Sequence, residues 1–390
     1  MPGRNGLVRI RIAALSATLA AGCTPPLPCG TARVEAGPGG EAALLSTSRP
    51  EVRLQRGAES AVFLLDTGFR RSALGPAGQA AAQSAADEDF ALAETRVEAD
   101  FQPWVAAQAP GVLGAEVLGQ LPLAFSPSEG RLSVGRAFPG VAPGSTPLRR
   151  HTVSACDDPG TAYTLQAEVE GRAVTWLLDT GAEHTVLRSG VATALAPGRA
   201  RLAGVVLETA FAGVVRVEAL RLSSVALGAG TLHQVVALSG PALDAELDRQ
   251  SQWLSLAAGA PVKVDGLLGW SALREGTTAF QGPPGGPVSA LAFSPYPSSP
   301  WPRAFVGVGV ALAPEGTALR VVSVYTPSPA ADAGIAVGDV VLTVDGQPAP
   351  GAPVPFAAPG EEVTLVLQRG NERLERTVAV VDLLPDAQAQ

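Results

Sequence analysis

The pattern of apolar and polar residues predicts two strand pairs that end in the same triplet, Asp-Thr-Gly. The first pair is EVRLQRGAESAVFLLDTG, residues 51–68, and the second is YTLQAEVEGRAVTWLLDTG, residues 163–181. Alternating apolar and polar positions are typical of strands with one buried face. In both copies Leu-Leu precedes the Asp, and a small hydroxyl residue, Ser72 or Thr185, follows it six positions later. The chain therefore contains an internal repeat.

Each repeat unit continues in the same order after its triplet. An apolar pair and a glycine come later, as Val112-Leu113-Gly114 in the first unit and Leu267-Leu268-Gly269 in the second. A short helix and a closing hairpin are predicted to follow in both. A third pattern covers residues 303–382, where the strand-like runs FVGVGVAL, ALRVVSVYT, GDVVLTVDGQPA and EEVTLVLQRGNERLERTVAVV are separated by turn signals.

Composition favours several strand-rich domains. The chain has 390 residues, enough for two or three domains, and its 44 Gly and 34 Pro indicate many turns. Breaks rich in Pro and Gly predict a tether at 23–40, a first lobe at 41–145, a second lobe at 150–296 and a third domain at 303–382. The net charge of −8 and the absence of a basic stripe argue against nucleic acid as a partner.

The N-terminus has the pattern of a secretory signal. Residues 1–22 contain three arginines, then an apolar run too short to span a bilayer, then small residues. The ending LAAGC resembles a bacterial lipobox, which implies that Cys23 is acylated and anchors the protein in a membrane. The chain is then expected in the cell envelope, facing the periplasm or the exterior. Ordinary signal-peptide cleavage, or a chance run of small residues, is the alternative.

The remaining cysteines and the histidines indicate no metal site. With Cys23 acylated, Cys29 and Cys156 are the thiols left, and an oxidising compartment would let them form a disulfide. The three histidines are scattered and no CxxC occurs, whereas structural zinc needs clustered ligands. We therefore expect no metal and no cofactor.

The paired triplets resemble those of retropepsin-like aspartic proteases over roughly residues 41–296. The resemblance implies a mostly β fold in which two acid-protease lobes form a pseudo-dimer and each contributes one catalytic carboxyl group, Asp66 or Asp179. The two are 179 − 66 = 113 residues apart, which suits one compact lobe per repeat unit. It also implies that Thr67 and Thr180 hydrogen-bond across the lobe interface. Each Asp-Thr-Gly ends in a glycine, Gly68 or Gly181, which would let the backbone approach the substrate closely.

Two carboxyl groups held a few Å apart share one proton and titrate as a unit. The charged member can act as general base on a bound water while the protonated member polarises the scissile carbonyl. The predicted activity is therefore that of an aspartic endopeptidase, acting on a peptide or protein substrate.

Several departures from the family pattern leave alternatives open. The family usually has Ala or Ser after Asp-Thr-Gly; Ala182 fits, but Phe69 does not, and Arg70-Arg71 follow it. Those cations either depress the pKa of a nearby carboxyl group or point to solvent. A flap hairpin is predicted at 208–228, whereas the first lobe looks truncated and without a flap. The alternatives are a non-catalytic peptide-binding protein, or an enzyme active only as a homodimer of second lobes. His184 lies near the second triplet and is expected to be a packing or surface residue.

The third domain resembles a bacterial PDZ domain, a small α+β fold, most specifically in SPAADAGIAVGDVVLTVDG. The resemblance implies that backbone N–H groups around Val308, Gly309 and Val310 receive the C-terminal carboxylate of a partner protein. The peptide would then add as a strand beside VALA. The alternative is a small β-domain that only packs on the lobes. A monomer is expected.

Overall fold

The computed structural model shows a mostly β protein in which two similar lobes are followed by a small third domain. It describes residues 32–35, 39–84, 88–99, 101–103, 111–135, 144–153, 158–195, 199–209, 213–282, 286–301, 305–316, 318–349 and 359–385. In this part of the chain, no helix is long and apolar enough to cross a membrane.

Lobe 1 contains eleven of the described strands and two short helices. They are Ala32–Glu35 (β1), Gly40–Ala43 (β2), Glu51–Arg56 (β3), Glu59–Leu65 (β4), Ala73–Leu74 (β5), Pro76–Ser84 (α1), Phe90–Leu92 (β6), Thr95–Ala99 (β7), Gln102–Pro103 (β8), Gly111–Leu113 (β9), Ala115–Leu118 (α2), Leu123–Ser126 (β10) and Arg131–Val134 (β11).

Lobe 2 repeats the order with longer elements. They are Thr146–Val153 (β12), Gly160–Val169 (β13), Arg172–Leu178 (β14), Thr185–Leu187 (β15), Ser189–Leu195 (α3), Leu202–Thr209 (β16), Gly213–Leu227 (β17), Gly230–Ser239 (β18), Pro241–Ala258 (α4), Gly266–Leu268 (β19), Trp270–Leu273 (α5), Gly276–Gln281 (β20) and Ala290–Pro295 (β21).

The third domain is a small sheet with one short helix. Its elements are Val306–Gly307 (β22), Val310–Glu315 (β23), Ala318–Val324 (β24), Pro329–Asp332 (α6), Val340–Val344 (β25), Gln347–Pro348 (β26), Glu362–Arg369 (β27), Glu372–Ala379 (β28) and Val381–Asp382 (β29).

The predicted strand pairs form as the alternation requires. In β4 the buried residues Ala61, Phe63 and Leu65 alternate with half-exposed ones. β3 pairs antiparallel with β4, and β13 pairs antiparallel with β14. Each pair therefore sends one face into the core and delivers its Asp at the end of a buried strand.

The two lobes share one sheet and one core. The strand order β12-β21-β20-β10-β11-β2 crosses the lobe boundary where β10 pairs with β20, with Leu123 opposite Phe280. Phe125 of lobe 1 packs edge-to-face on Trp270 of lobe 2, with ring centroids 5.5 Å apart. Because a single apolar cluster runs through both lobes, they are fixed relative to each other before any substrate binds.

Two boundaries differ from the sequence prediction. The predicted tether at 23–40 includes β1, which pairs with β7, and the start of β2, which pairs with β11. Residues 32–35, ARVE, alternate in exposure and cover an edge of the lobe 1 sheet, so this segment belongs to the lobe. Lobe 2 begins earlier than 150, since Thr146 already pairs with Leu291.

The third domain packs on the hairpin β16–β17 of lobe 2. Ala203 of β16 forms a two-way backbone bridge with Thr326. Arg221 of β17 is buried and donates to the carbonyl of Leu384 and to the carboxylate of Asp382. Leu384 also belongs to the apolar cluster of lobe 2. The domain is therefore docked through a buried ion pair, a β-bridge and apolar contacts.

Candidate active site

Each Asp-Thr-Gly turn is backed by the apolar-Gly strand of its own lobe. β4 runs parallel to β9, and β14 runs parallel to β19. The backbone N–H of Asp66 donates to the carbonyl of Leu113 at 3.0 Å, and that of Asp179 donates to Leu268 at 3.1 Å. The two repeat units thus place their aspartates by the same strand contacts.

The hydroxyl residues six positions after each Asp close the loops. The Ser72 Oγ accepts from the backbone N–H of Gly114 at 2.9 Å. In lobe 2, the Thr185 Oγ1 accepts from Gly269 at 3.3 Å. Both hydroxyl residues are fully buried, so each donor is satisfied without water. This accounts for the repeated spacing in the sequence.

The two threonines of the triplets join the lobes. Thr67 Oγ1 donates to the carbonyl of Leu178 at 3.0 Å and accepts from the N–H of Thr180 at 3.0 Å. Thr180 Oγ1 in turn donates to the carbonyl of Leu65 at 2.6 Å and accepts from the N–H of Thr67 at 3.0 Å. Four buried hydrogen bonds therefore fix the two turns against each other, related by a pseudo-two-fold axis.

The carboxyl groups of Asp66 and Asp179 lie next to each other and are hydrogen-bonded. A Cβ added to Gly68 would overlap the carboxyl group of Asp179, and one added to Gly181 would overlap that of Asp66. Only glycine fits at either position, because the opposite carboxyl group occupies the space of a side chain.

The two carboxyl groups have different surroundings. Asp66 Oδ1 accepts from the backbone N–H groups of Gly68 at 2.8 Å and Phe69 at 3.0 Å. Asp179 Oδ1 accepts from Ala182 at 2.9 Å. Burial raises the pKa of both groups, and the neighbouring Asp66 raises the pKa of Asp179 further, well above its usual range. Because the two buried carboxyl groups are this close, one proton is shared between them, and the charged form of Asp66 accepts the larger number of backbone N–H groups.

Phe69 does not disturb the first turn. Its N–H and carbonyl make the same contacts as those of Ala182: the N–H donates to the carboxyl group, and the carbonyl accepts, here from Ala115 and in lobe 2 from Trp270. The backbone of the turn tolerates a large residue here because these contacts involve no side chain of residue 69.

The arginines after Phe69 are held by other groups. Arg70 donates to Asp158 at 3.1 Å and to Gln250 at 2.9 Å, and its guanidinium lies 4.2 Å from the ring centroid of Trp253. The charge of Arg71 acts on Glu116, where it lowers the pKa against the larger effect of burial. Of the two alternatives for these cations, an effect on a nearby carboxyl group holds for Arg71 and Glu116, whereas neither arginine is among the groups that shift the pKa of Asp66.

Helix α4 is a long helix of lobe 2 that was not predicted from the sequence. It begins with Pro241 in its first turn and ends at Ala258, and the following residue, Gly259, has a left-handed φ of +63°. Leu247 and Leu254, one face of the helix, are buried. A cavity of about 730 Å³ lies between α4 and the turn at Gly68 and Phe69. Arg70 lines it from lobe 1, and Gln250 and Trp253 line it from α4.

The hairpins that follow the turns differ between lobes. In lobe 2, β16 and β17 form a hairpin whose paired residues begin at Leu202 in β16 and at Gly213 in β17. This hairpin therefore begins earlier in the chain than the predicted range, 208–228. The corresponding hairpin of lobe 1 is β6–β7, with the fully buried side chains of Phe90 and Leu92. It is short and packs into the core of its own lobe.

His184 takes no part in the carboxyl pair. In the described part of the chain, no hydrogen bond joins its ring to either aspartate. Burial lowers its pKa, Glu183 opposes this effect and Arg274 adds to it. The ring is a partly buried packing residue, as expected.

The loop before β23 and the first residue of that strand contain the residues predicted to receive a C-terminal carboxylate, Val308, Gly309 and Val310. Val308 is fully buried, and its carbonyl accepts from Ala330. Gly309 has a φ of +92°, and a Cβ there would overlap the side chain of Ser328. Among the described strands, β23 ends its sheet and pairs on one side only, with β24. Val310 begins this edge, which can accept an added strand.

Three of the predicted site residues lie outside the described residues. They are Cys23, Cys29 and Cys156. The acylation and the disulfide therefore stay predictions.

Comparison with known proteins agrees with this fold. Residues 165–272 match the family model of an aspartyl protease, and residues 306–380 match the PDZ domain model. A search of the curated proteins found no match. Among solved structures, a retropepsin-like aspartic protease from Rickettsia conorii is 16% identical, covers 39% of this chain and 94% of its own, and has a TM-score of 0.24. The aspartic proteinase from Irpex lacteus is 12% identical, covers 67% and 98%, and has a TM-score of 0.36.

The protein therefore has an aspartic protease-like fold with a C-terminal PDZ domain. This assignment rests on the two family models, on the paired Asp-Thr-Gly turns and on the threonine contacts, since both TM-scores lie below 0.5.

Proposed function

We propose that this protein is an aspartic endopeptidase whose catalytic residues are Asp66 and Asp179. The observation that carries the proposal is the set of four hydrogen bonds between Thr67, Thr180 and the opposite lobes, which brings both carboxyl groups together within one chain. Holding two buried carboxyl groups side by side costs free energy of folding. Carboxyl groups whose pKa is strongly shifted in this way cluster at functional sites.

In the proposed mechanism the two carboxyl groups divide the work of general base and general acid. Asp66, with more backbone donors, is the carboxylate that takes a proton from the attacking water. Asp179 holds the shared proton and donates a hydrogen bond to the carbonyl oxygen of the scissile bond. The tetrahedral intermediate collapses when its C–N bond breaks and the leaving amine receives the proton that Asp66 took from the water; no acyl-enzyme forms. The chemistry needs no metal and no cofactor.

The test is cleavage of a peptide library by the wild type and by Asp179→Asn, each with and without pepstatin. Asp89→Asn, at an exposed position, is the matched control. We expect cleavage by the wild type and the control, inhibited by pepstatin, and none by Asp179→Asn. No cleavage by the wild type at any pH, with peptides still bound, would favour the non-catalytic alternative that the short β6–β7 hairpin suggests.

We further propose that the PDZ domain recruits proteins by their C-termini, through the N–H groups of Val308, Gly309 and Val310. The left-handed Gly309 and the edge strand β23 support this. A peptide with a free C-terminal carboxylate should bind, as measured by fluorescence anisotropy, and its amidated form should not. Equal binding of both forms would contradict carboxylate recognition.

We propose that the protein is exported and anchored in the cell envelope by lipid on Cys23. Cys23→Ser should then move it from the membrane fraction to the soluble fraction. A wild-type protein already in the soluble fraction would contradict the anchor. Alkylation of the non-reduced protein should find no free thiol at Cys29 or Cys156 if the two form a disulfide.

A further inference from the structure

The segment that follows the catalytic turn is held differently in the two lobes. In lobe 2 Thr185 begins β15 and pairs with Ala237 of β18, a strand of ten residues. In lobe 1 the corresponding residue, Ser72, precedes β5, and the neighbouring β8 has two residues. The carbonyl of Ser72 accepts from Gln102 of β8. Its N–H is bound by a side chain.

That side chain is Glu116, whose Oε1 accepts from the N–H of Ser72 at 2.5 Å. Glu116 is the second residue of α2 and is only 4% exposed. Its counterpart two residues after the glycine of lobe 2 is Ser271. A buried acid is expensive, because taking a carboxylate out of water costs free energy unless it is paired and hydrogen-bonded. Its presence in lobe 1 alone therefore calls for a function.

The carboxyl group lies directly behind the turn. A Cβ placed on Gly114 would come 2.5 Å from Glu116 Oε2 and 2.7 Å from the carbonyl oxygen of Phe69. Within the described residues, Glu116 Oε2 is buried and has no hydrogen-bond partner. Arg71 is the charged group that acts on it, and burial raises the pKa of Glu116 to about 7. Glu116 therefore lies against the segment between Asp66 and Ser72, next to the two-residue strand β8.

We propose that Glu116 is a positioning residue that replaces, in the truncated lobe 1, the strand contact that β18 makes in lobe 2. By accepting from the N–H of Ser72 it keeps the segment after Asp66 in register, so that Asp66 meets Asp179. The role is that of a hydrogen-bond acceptor. Its effect on catalysis rests on the proposed function, whereas its effect on the order of the turn does not.

The test compares Glu116→Ala, which removes the acceptor, with Glu116→Gln, which keeps an acceptor oxygen and the side-chain volume. Ser271→Ala is the matched control at the corresponding position of lobe 2. Two readouts are needed: kcat and KM on one peptide, and hydrogen exchange of the segments 66–74 and 179–187 by mass spectrometry.

For Glu116→Ala we expect kcat to fall about 10- to 100-fold with KM changed less than about threefold, because a misplaced group costs rate before binding. Exchange in 66–74 should accelerate by about 10-fold and that in 179–187 should not. Glu116→Gln should stay within about threefold of wild type in both readouts, as should Ser271→Ala.

Unchanged exchange of 66–74 in Glu116→Ala would overturn the proposal. So would equal acceleration in both lobes, which indicates general destabilisation, or a Glu116→Gln variant as impaired as Glu116→Ala. If the wild type cleaves nothing, the proposed function fails, while the exchange measurement still decides the role of Glu116.

Discussion

The two lobes place an aspartate in the same geometry with very different lengths of chain. In lobe 2 the strands after the turn are long: β17 has fifteen residues and β18 has ten. In lobe 1 their counterparts β7 and β8 have five and two. Yet the loop closures by Ser72 and Thr185 and the strand contacts of Asp66 and Asp179 agree between the lobes.

The comparison shows which contacts the turn requires. The parallel strand behind it, the hydroxyl group six residues later and the threonine contact with the other lobe occur in both copies. Long flanking strands do not. In lobe 1, where the flanking strands are short, side chains make the contacts that hold the turn. Glu116 accepts from the N–H of Ser72, and Arg70 links the turn to α4 and to Asp158 of lobe 2.

The lobes also differ in what covers their hairpins. The β16–β17 hairpin of lobe 2 carries the PDZ domain, with Arg221 donating to Asp382 and Ala203 bridged to Thr326. The β6–β7 hairpin of lobe 1 is buried in its own core, with Phe63 and Phe90 packed edge-to-face. The partner domain is thus attached to the lobe with the extended hairpin.

The largest effect is expected from the threonines that join the lobes. Thr67→Val and Thr180→Val each remove two buried hydrogen bonds without changing shape, and each should lower kcat about 100-fold, because the carboxyl groups lose their alignment. The control is Thr278→Val, which loses one buried hydrogen bond to Leu273 far along the chain from the triplets. A large loss in one threonine variant only would show that the lobes are not equivalent.

A smaller effect is expected at Arg70, the link from lobe 1 to α4. Arg70→Met removes two polar contacts and the stacking on Trp253, and should lower kcat/KM about 10-fold. Glu183→Gln is the control, since Glu183 occupies the corresponding position of lobe 2 and is exposed. Steady-state kinetics on one peptide compares them. Equal kcat/KM for Arg70→Met and wild type would mean that the contacts of Arg70 with lobe 2 do not help to position the turn of lobe 1.

The last prediction is a pH dependence of stability that comes from Glu116 in lobe 1 and has no counterpart at Ser271 in lobe 2. Burial raises the pKa of Glu116 from 4.5 to about 7. Because the folded protein holds this proton to higher pH than the unfolded chain, the free energy of unfolding falls as pH rises from 4.5 to 7. The loss is at most about 3 kcal/mol. The side chain introduced by Glu116→Gln does not titrate. The free energy of unfolding of this variant should therefore fall less between pH 4.5 and 7 than that of the wild type.

Urea unfolding of wild type and Glu116→Gln at pH 4.5 and 7.5 measures the difference. The free energy of unfolding of Glu116→Gln should rise relative to that of the wild type between pH 4.5 and 7.5. The difference between Ser271→Ala and the wild type should be the same at both pH values. A constant difference between Glu116→Gln and wild type at both pH values would contradict a buried, titrating Glu116.

Much of the fold could be predicted because its signals are local. The alternation in 51–68 and 163–181 predicted the strands, and the repeated hydroxyl spacing matched the bonds from Ser72 and Thr185. The mostly β fold with a C-terminal PDZ domain is confirmed. β1 was missed within the predicted tether, because short strands depend on a partner, here β7, that the sequence does not place next to them.

Other parts of the site depend on contacts between distant residues. Helix α4 had a readable signal, with Pro241 and Gly259 as boundaries and Leu247 and Leu254 on one face. Glu116 had none, since an acid in a short helix is usually solvated, and only the folded chain brings it to Ser72 across 44 positions. The docking of the PDZ domain through Arg221 is equally a product of tertiary structure.

The most direct test of the central claim, that two unequal lobes of one chain form a single catalytic pair, is the kinetics of Asp66→Asn, Asp179→Asn and the double variant across pH. Because the residues act as one unit, the single variants should be about equally inactive and the double variant hardly worse. Wild-type activity should follow a bell in pH whose limits belong to the pair. Asp66→Asn with nearly full activity, beside an inactive Asp179→Asn, would contradict the intramolecular pair and indicate a homodimer of second lobes.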